Sequence, residues 1–130
     1  RSIRPMLEAG AWVICDRFAD STLAYQGAGQ GLAYETWARL CDLTLEGLKP
    51  DLTLILDLPV EAGLARAAGR SAADRYEKLG ADFHARIRAG FQDIARRDAA
   101  RCVVLDAARD AESVYAAIVE TLRQRLGAPL

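Results

Sequence analysis

The chain has 130 residues, 52% of them apolar and 27% charged, with a formal net charge of −1. That length suffices for one domain with a core of its own. The apolar share excludes wholesale disorder, no apolar run approaches the roughly 18 residues of a membrane span, and the near-zero charge excludes a global basic field for non-specific nucleic-acid binding. A local cationic pocket would be built from arginine, since Lys49 and Lys78 are the only lysines among the 17 basic residues. Arg1 to Ala9 carries Ile3, Met6 and Leu7 at i, i+3 and i+4. This stretch reads as the closing turns of a helix and not as a signal peptide, because it holds no continuous apolar region. The chain is therefore expected to begin inside an element, as a piece of a longer protein.

Three segments are short, apolar, β-branched and bounded by breakers: Ala11 to Cys15, Leu52 to Leu58, and Cys102 to Leu105. They are predicted to be buried parallel strands. Each ends in or is followed by an aspartate, Asp16, Asp57 and Asp106. Ligands of open α/β sheets gather at such strand ends, although a loop cap accounts for any one of these residues. Helices are predicted between the strands. Tyr34 to Leu48 carries Trp37, Leu40, Cys41, Leu45 and Leu48 on one stripe, and Val60 to Gly69 starts just after Pro59. Phe83, Ile87, Phe91 and Ile94 mark a third helix. Val114, Ile118, Leu122 and Leu126 mark a fourth, with Asp110 as its N-cap. The alternation of strand and helix predicts an α/β fold with a parallel sheet. Cys15, Cys41 and Cys102 are odd in number and widely spaced, and are read as buried thiols of a reducing compartment. The single histidine, His84, is read as an exposed helix residue.

The densest chemistry follows the first predicted strand, from Asp16-Arg17 through Ser21, Thr22, Tyr25 and Gln26. Arginine offers a planar fork matched to phosphate oxygens, and an aspartate beside it can hold water on Mg²⁺. A structural salt bridge explains an Asp-Arg pair equally well. On a helix, Ser21 or Thr22 stands about one turn from Tyr25 and Gln26. The Gln26 amide suits a nucleobase edge. A second cluster holds Arg66, Arg70 and Asp74-Arg75-Tyr76-Glu77, with small residues from Gly69 to Ala73 between its ends. A mobile arginine loop can close over transferring phosphates. For an arbitrary chain a solvated surface loop is the plainer reading. Gly27-Ala28-Gly29-Gln30-Gly31 follows a predicted helix, and Leu32 stands where a dinucleotide fingerprint needs its third glycine. It is read as a flexible connection.

In their joint order these residues resemble bacterial thymidylate kinase. Trp12-Val13-Ile14-Cys15-Asp16-Arg17 is similar to that family's strand ending in Asp-Arg. Ser21-Thr22-Leu23-Ala24-Tyr25-Gln26-Gly27 is similar to its thymidylate-binding segment. Pro50 to Pro59 with Gly63-Leu64-Ala65-Arg66 resembles its fourth strand and following helix, Arg70 to Glu77 its LID, and Val104 to Ala107 its last strand. Phe18 stands where the family commonly has Tyr, and no polar role is assigned to it.

The resemblance implies a P-loop kinase fold, here one partial nucleoside monophosphate kinase domain over residues 1–130 with a LID at about 66–77. It implies transfer of the ATP γ-phosphoryl to dTMP with Mg²⁺, in a cytoplasmic homodimer without stable nucleic-acid or membrane partners. Arg17 would grip the dTMP phosphate, with Asp16 reaching Mg²⁺ through water. Thr22 and Gln26, with Ser21 beside them, would read the thymine, and Tyr25 would crowd out a ribose 2′-hydroxyl. Arg70, Arg66 and Arg75 would act on ATP from the LID, and Glu77 would lie near the acceptor nucleotide.

Gly-x-x-x-x-Gly-Lys-Ser/Thr does not occur in these 130 residues, so the cradle for the β- and γ-phosphates is missing from them. The family's central strand would lie between Ala11–Cys15 and Leu52–Leu58, which are expected to lack their shared neighbour. The piece alone is accordingly expected to be inactive in phosphoryl transfer. The alternatives are a non-catalytic nucleotide-binding or self-associating piece, or another P-loop nucleoside or nucleotide kinase.

Overall fold

The structure is a computed structural model, and it describes residues 2–68 and 80–129. Its elements, in chain order, are α1 (Ile3–Glu8), α2 (Ala19–Thr22), a π-helical segment (Leu23–Ala28), α3 (Tyr34–Leu45), β1 (Thr53–Asp57), α4 (Val60–Ala68), α5 (Gly80–Arg97), β2 (Cys102–Asp106) and α6 (Ala111–Leu126). β1 and β2 pair in parallel, with Thr53 opposite Cys102 and Asp57 opposite Asp106. Parallel strands need a long crossover, and α4 and α5 lie along it. The expected α/β architecture with a parallel sheet and flanking helices is present, with two strands among the described residues.

The predicted first strand is corrected. Residues 11–15 form no strand, and Ile14 is 98% exposed and Trp12 60% exposed. A strand is completed by the ladder of a neighbour, and no described strand lies beside this segment. β-branched composition therefore does not suffice here. The two other predicted strands form within a residue or so of their expected bounds.

The core lies between one face of the sheet and α5. Ile55 and Cys102 meet Phe83, Ile87, Ile94 and Ala95, with Ala24 of the π segment closing one end. Phe83, Ile87, Phe91 and Ile94 recur at helical spacing, which turns one stripe of α5 inward. Asp110 caps α6 as expected, its Oδ1 accepting from the Ser113 amide at 2.9 Å. Gly127 ends that helix at φ 62°, a left-handed turn that suits glycine.

Two further readings change. Of the three cysteines, all free, Cys102 is buried, Cys41 half-buried and Cys15 exposed. Burial pushes the Cys41 and Cys102 thiols up from their ordinary pKa. Cys15 ends the segment that found no partner strand, which leaves it in solvent. Gly27 and Ala28 belong to the π segment and are not a loose connection. Gly29 just beyond them packs so tightly that a Cβ there would stand 3.0 Å from the Phe83 ring.

Candidate nucleotide-binding site

α2 and the π segment form one helical run of ten residues from Ala19 to Ala28. A π turn inside a helix re-aims the side chains it carries and is common at functional sites. The run lies against α5, where Gly90 permits close approach. A Cβ at Gly90 would stand 2.7 Å from the Ala28 Cβ and 3.4 Å from the Ala24 Cα. Asp20 and Ala24 face inward and are buried, whereas Thr22 and Gln26 are exposed, each pair being one turn apart. Ser21 and Tyr25 are half-buried between those faces.

Arg17 precedes the run in a left-handed conformation, φ 63°, which is uncommon for a residue with a side chain. Its guanidinium carbon lies 4.4 Å from the centre of the Tyr25 ring, a cation–π arrangement. Tyr25 in turn meets the Phe91 ring edge-on, with centroids 6.3 Å apart. Helix α5 thus supports the tyrosine, and the tyrosine supports the arginine. Asp16 is exposed in the bend before them. The arrangement presents a cation, an aromatic ring, an amide and a hydroxyl along one short run. That set can hold an anion at one end and read a planar polar group at the other.

At the carboxyl end of β1 a cleft of about 330 Å³ opens between α4 and α5, with Asp57, Leu64, His84, Arg88 and Phe91 in its wall. Arg88 grips Asp57 with a two-point fork, both hydrogen bonds 2.8 Å, and Gln92 adds a third at 3.4 Å. The Arg88 hydrogen bonds hold the Asp57 carboxyl below its ordinary pKa, against the opposing effect of burial. His84 is half-buried beside the Phe83 ring and not fully exposed as expected, because α5 turns this side of the helix toward the cleft.

The expected residues do not all gather. Arg66 leaves α4 to donate to the Ala107 and Ala108 carbonyls at 2.9 and 3.3 Å, beyond the end of β2. Asp106 caps the same turn, accepting from the Ala108 amide at 2.9 Å. Arg70, Arg75 and Glu77 lie outside the described residues. Asp20, Arg88, Gly90, Phe91 and Arg101 were not identified from the sequence as parts of this region. In the sequence Phe91 only helps to mark a helix, and no local pattern joins Asp20 to Arg101.

The family model described as thymidylate kinase matches residues 1–118. The chain belongs to the thymidylate kinase family. It is 54% identical over 127 residues to the thymidylate kinase of Caulobacter vibrioides, covering 98% of this chain and 61% of that protein. Identity to a Pseudomonas putida thymidylate kinase is 51%, over 89% of this chain and 56% of the relative. The crystal structure of thymidylate kinase from Ehrlichia chaffeensis superposes with a TM-score of 0.71 at 34% identity, covering 95% of this chain and 56% of that one. The chain thus spans somewhat more than half the length of these thymidylate kinases.

Proposed function

We propose that the full protein carrying this chain transfers the γ-phosphoryl group of ATP to dTMP, giving dTDP and ADP. Membership of the family supports this, and the observation that carries it is the Arg17 guanidinium over the Tyr25 ring, on the run that exposes Thr22 and Gln26. In this reading Arg17 holds the dTMP phosphate, Thr22 and Gln26 bind the thymine edge with Ser21 beside them, and Tyr25 walls the sugar. An oxygen of that phosphate attacks the γ-phosphorus while the β–γ bridging P–O bond breaks. The reaction asks for positioning and charge stabilisation more than for covalent catalysis.

The LID, at about 66–77, supplies Arg70 and Arg75 to the ATP phosphates, with Arg66 at its base and Glu77 near the acceptor. Mg²⁺ bound with the nucleotide would neutralise phosphate charge. Among the described residues no cluster of three metal-binding side chains occurs. Such an ion keeps most of its waters and takes one or two carboxylates beside phosphate oxygens, and Asp16 would hold it through water. The protein is proposed to be a cytoplasmic homodimer. No described helix is long and apolar enough to cross a membrane.

The test is turnover of dTMP, dUMP, AMP and CMP by the full protein. Arg17→Ala should weaken every monophosphate roughly ten- to hundredfold, the loss of a charge-assisted contact of about 1.5–3 kcal/mol. Gln26→Ala should chiefly erode the preference among bases. No dTMP turnover, or a preference for AMP or CMP, rejects the activity, and equal effects of the two substitutions on all monophosphates reject the division of roles.

A further inference from the structure

The run that carries Thr22 and Gln26 does not hold itself in place. α2 has four residues, and Phe18 before it offers no side-chain cap. So short a helix is not stable by itself in water. Its position comes from outside contacts, and a two-point ion pair among them is made by Arg101, 81 positions away in the chain.

The Arg101 fork closes on the Asp20 carboxylate, Nη1 to Oδ2 at 2.7 Å and Nη2 to Oδ1 at 3.1 Å. Nη1 also donates to the Thr53 hydroxyl at 2.6 Å, and Nε to Asp98 at 2.7 Å. The Arg101 carbonyl accepts from the Thr53 amide at 2.9 Å. The guanidinium is thereby rooted at the point where β1 and β2 both begin. Asp20 is 8% exposed and is the one charged residue in the buried set among the described residues. A buried charge that loses its partner is strongly unfavourable, so this contact fixes which side of α2 faces the sheet. With Asp20 and Ala24 held inward, the exposed side of the run is the one that bears Thr22 and Gln26. From the other flank, the Trp37 indole Nε1 donates to the Ala19 carbonyl at 3.0 Å.

We propose that Asp20 and Arg101 are a positioning pair that sets the rotation of α2 and the π segment, and with it the angle at which Thr22 and Gln26 meet the nucleobase. The inference rests on the reading of Thr22 and Gln26 as base-binding residues. Neither Asp20 nor Arg101 touches the substrate. They act through the backbone of the run, and Asp98 serves as an internal control. It binds the same guanidinium through Nε, three positions away in the chain, and is half-exposed, so its loss loosens Arg101 without releasing α2.

The experiment compares Asp20→Asn, Arg101→Lys and Asp98→Ala in the full natural protein. Arg101→Lys keeps the charge without the fork and serves where Asp20→Asn does not fold. Steady-state constants for dTMP and ATP are measured with hydrogen exchange at the amides of 21–28. Misplacing a binding group by about 1 Å can cost up to a hundredfold, so kcat/KM for dTMP should fall about tenfold in the first two variants. The fall should come mainly through KM, with KM for ATP within about twofold of wild type, while the amides of 21–28 exchange about tenfold faster. Asp98→Ala should change neither. An unchanged KM for dTMP in Asp20→Asn or Arg101→Lys overturns the inference, as does an equal rise in Asp98→Ala. If the wild-type protein turns over no dTMP, the proposed activity falls. The exchange measurement then decides the pair by itself: faster exchange confined to 21–28 keeps it as the device that orients this run, and unchanged exchange rejects it.

Discussion

Gly90 sits in the interior of α5, where alanine is ordinarily the better residue by about 1 kcal/mol. At this position the sign should reverse. A methyl group there would stand 2.7 Å from the Ala28 Cβ, well inside the roughly 3.5–4.0 Å at which carbon atoms rest against one another. Both groups are fixed directly to backbone, so no rotamer relieves the clash, and the π segment must retreat by about 1 Å. Overpacking of this kind costs about 1–3 kcal/mol. With the upper half of that range set against the helix-propensity gain, Gly90→Ala should be destabilising by about 1–2 kcal/mol. For a full protein of about 150–250 residues, at about 2–4 °C per kcal/mol, that is a fall in Tm of about 2–8 °C. Gly63 in α4 provides the contrast, since a Cβ there would lie 3.5 Å from the Leu58 Cδ2, an ordinary contact. Gly63→Ala should therefore stabilise by up to about 1 kcal/mol. Urea and thermal denaturation of the full protein, followed by circular dichroism, measure both substitutions. A Gly90→Ala protein as stable as wild type, beside a stabilised Gly63→Ala, would refute the close approach of the π segment to α5.

Two further outcomes are expected. The Asp57 carboxyl, held below its ordinary pKa by Arg88, contributes stability that is present above about pH 3.9, its unfolded value, and is lost as pH falls through the lower folded value. Asp57→Asn should lower the denaturation midpoint at pH 7 and flatten its decline below about pH 4; an unchanged acid limb would show that the ion pair adds nothing. Arg70→Ala, on the LID reading, should lower kcat more than it raises KM for dTMP, and an unchanged kcat in single-turnover and steady-state assays would make Arg70 a surface residue.

Residues that act within one element were readable from spacing. The inward stripe of α5, the Asp110 cap of α6, and the proximity of Thr22 to Gln26 all follow from a helical period acting over a turn or two. The motif order around Asp16-Arg17 and from Arg66 to Glu77 sufficed to place the chain in its family, because those residue types suit phosphate and nucleobase chemistry. The same local reasoning misjudged Ala11 to Cys15. Its composition is that of a strand, but a strand exists only through the hydrogen bonds of a neighbour, and composition does not say whether one is there.

Tertiary structure alone decided how the candidate site is held. Asp57 and Arg88 are 31 positions apart, and Asp20 and Arg101 81. Each partner by itself is an ordinary charged residue on a helix or at a strand end. What makes them pairs is the parallel crossover that lays α5 over β1 and brings the start of β2 beside the start of β1. That arrangement exists only once the elements pack, because the free energy that selects it comes from burying the α5 stripe against the sheet. The chemistry proposed to meet a nucleotide is thus written locally, in Arg17, Thr22, Tyr25 and Gln26. The direction in which it points is set by contacts that close only when the chain has folded.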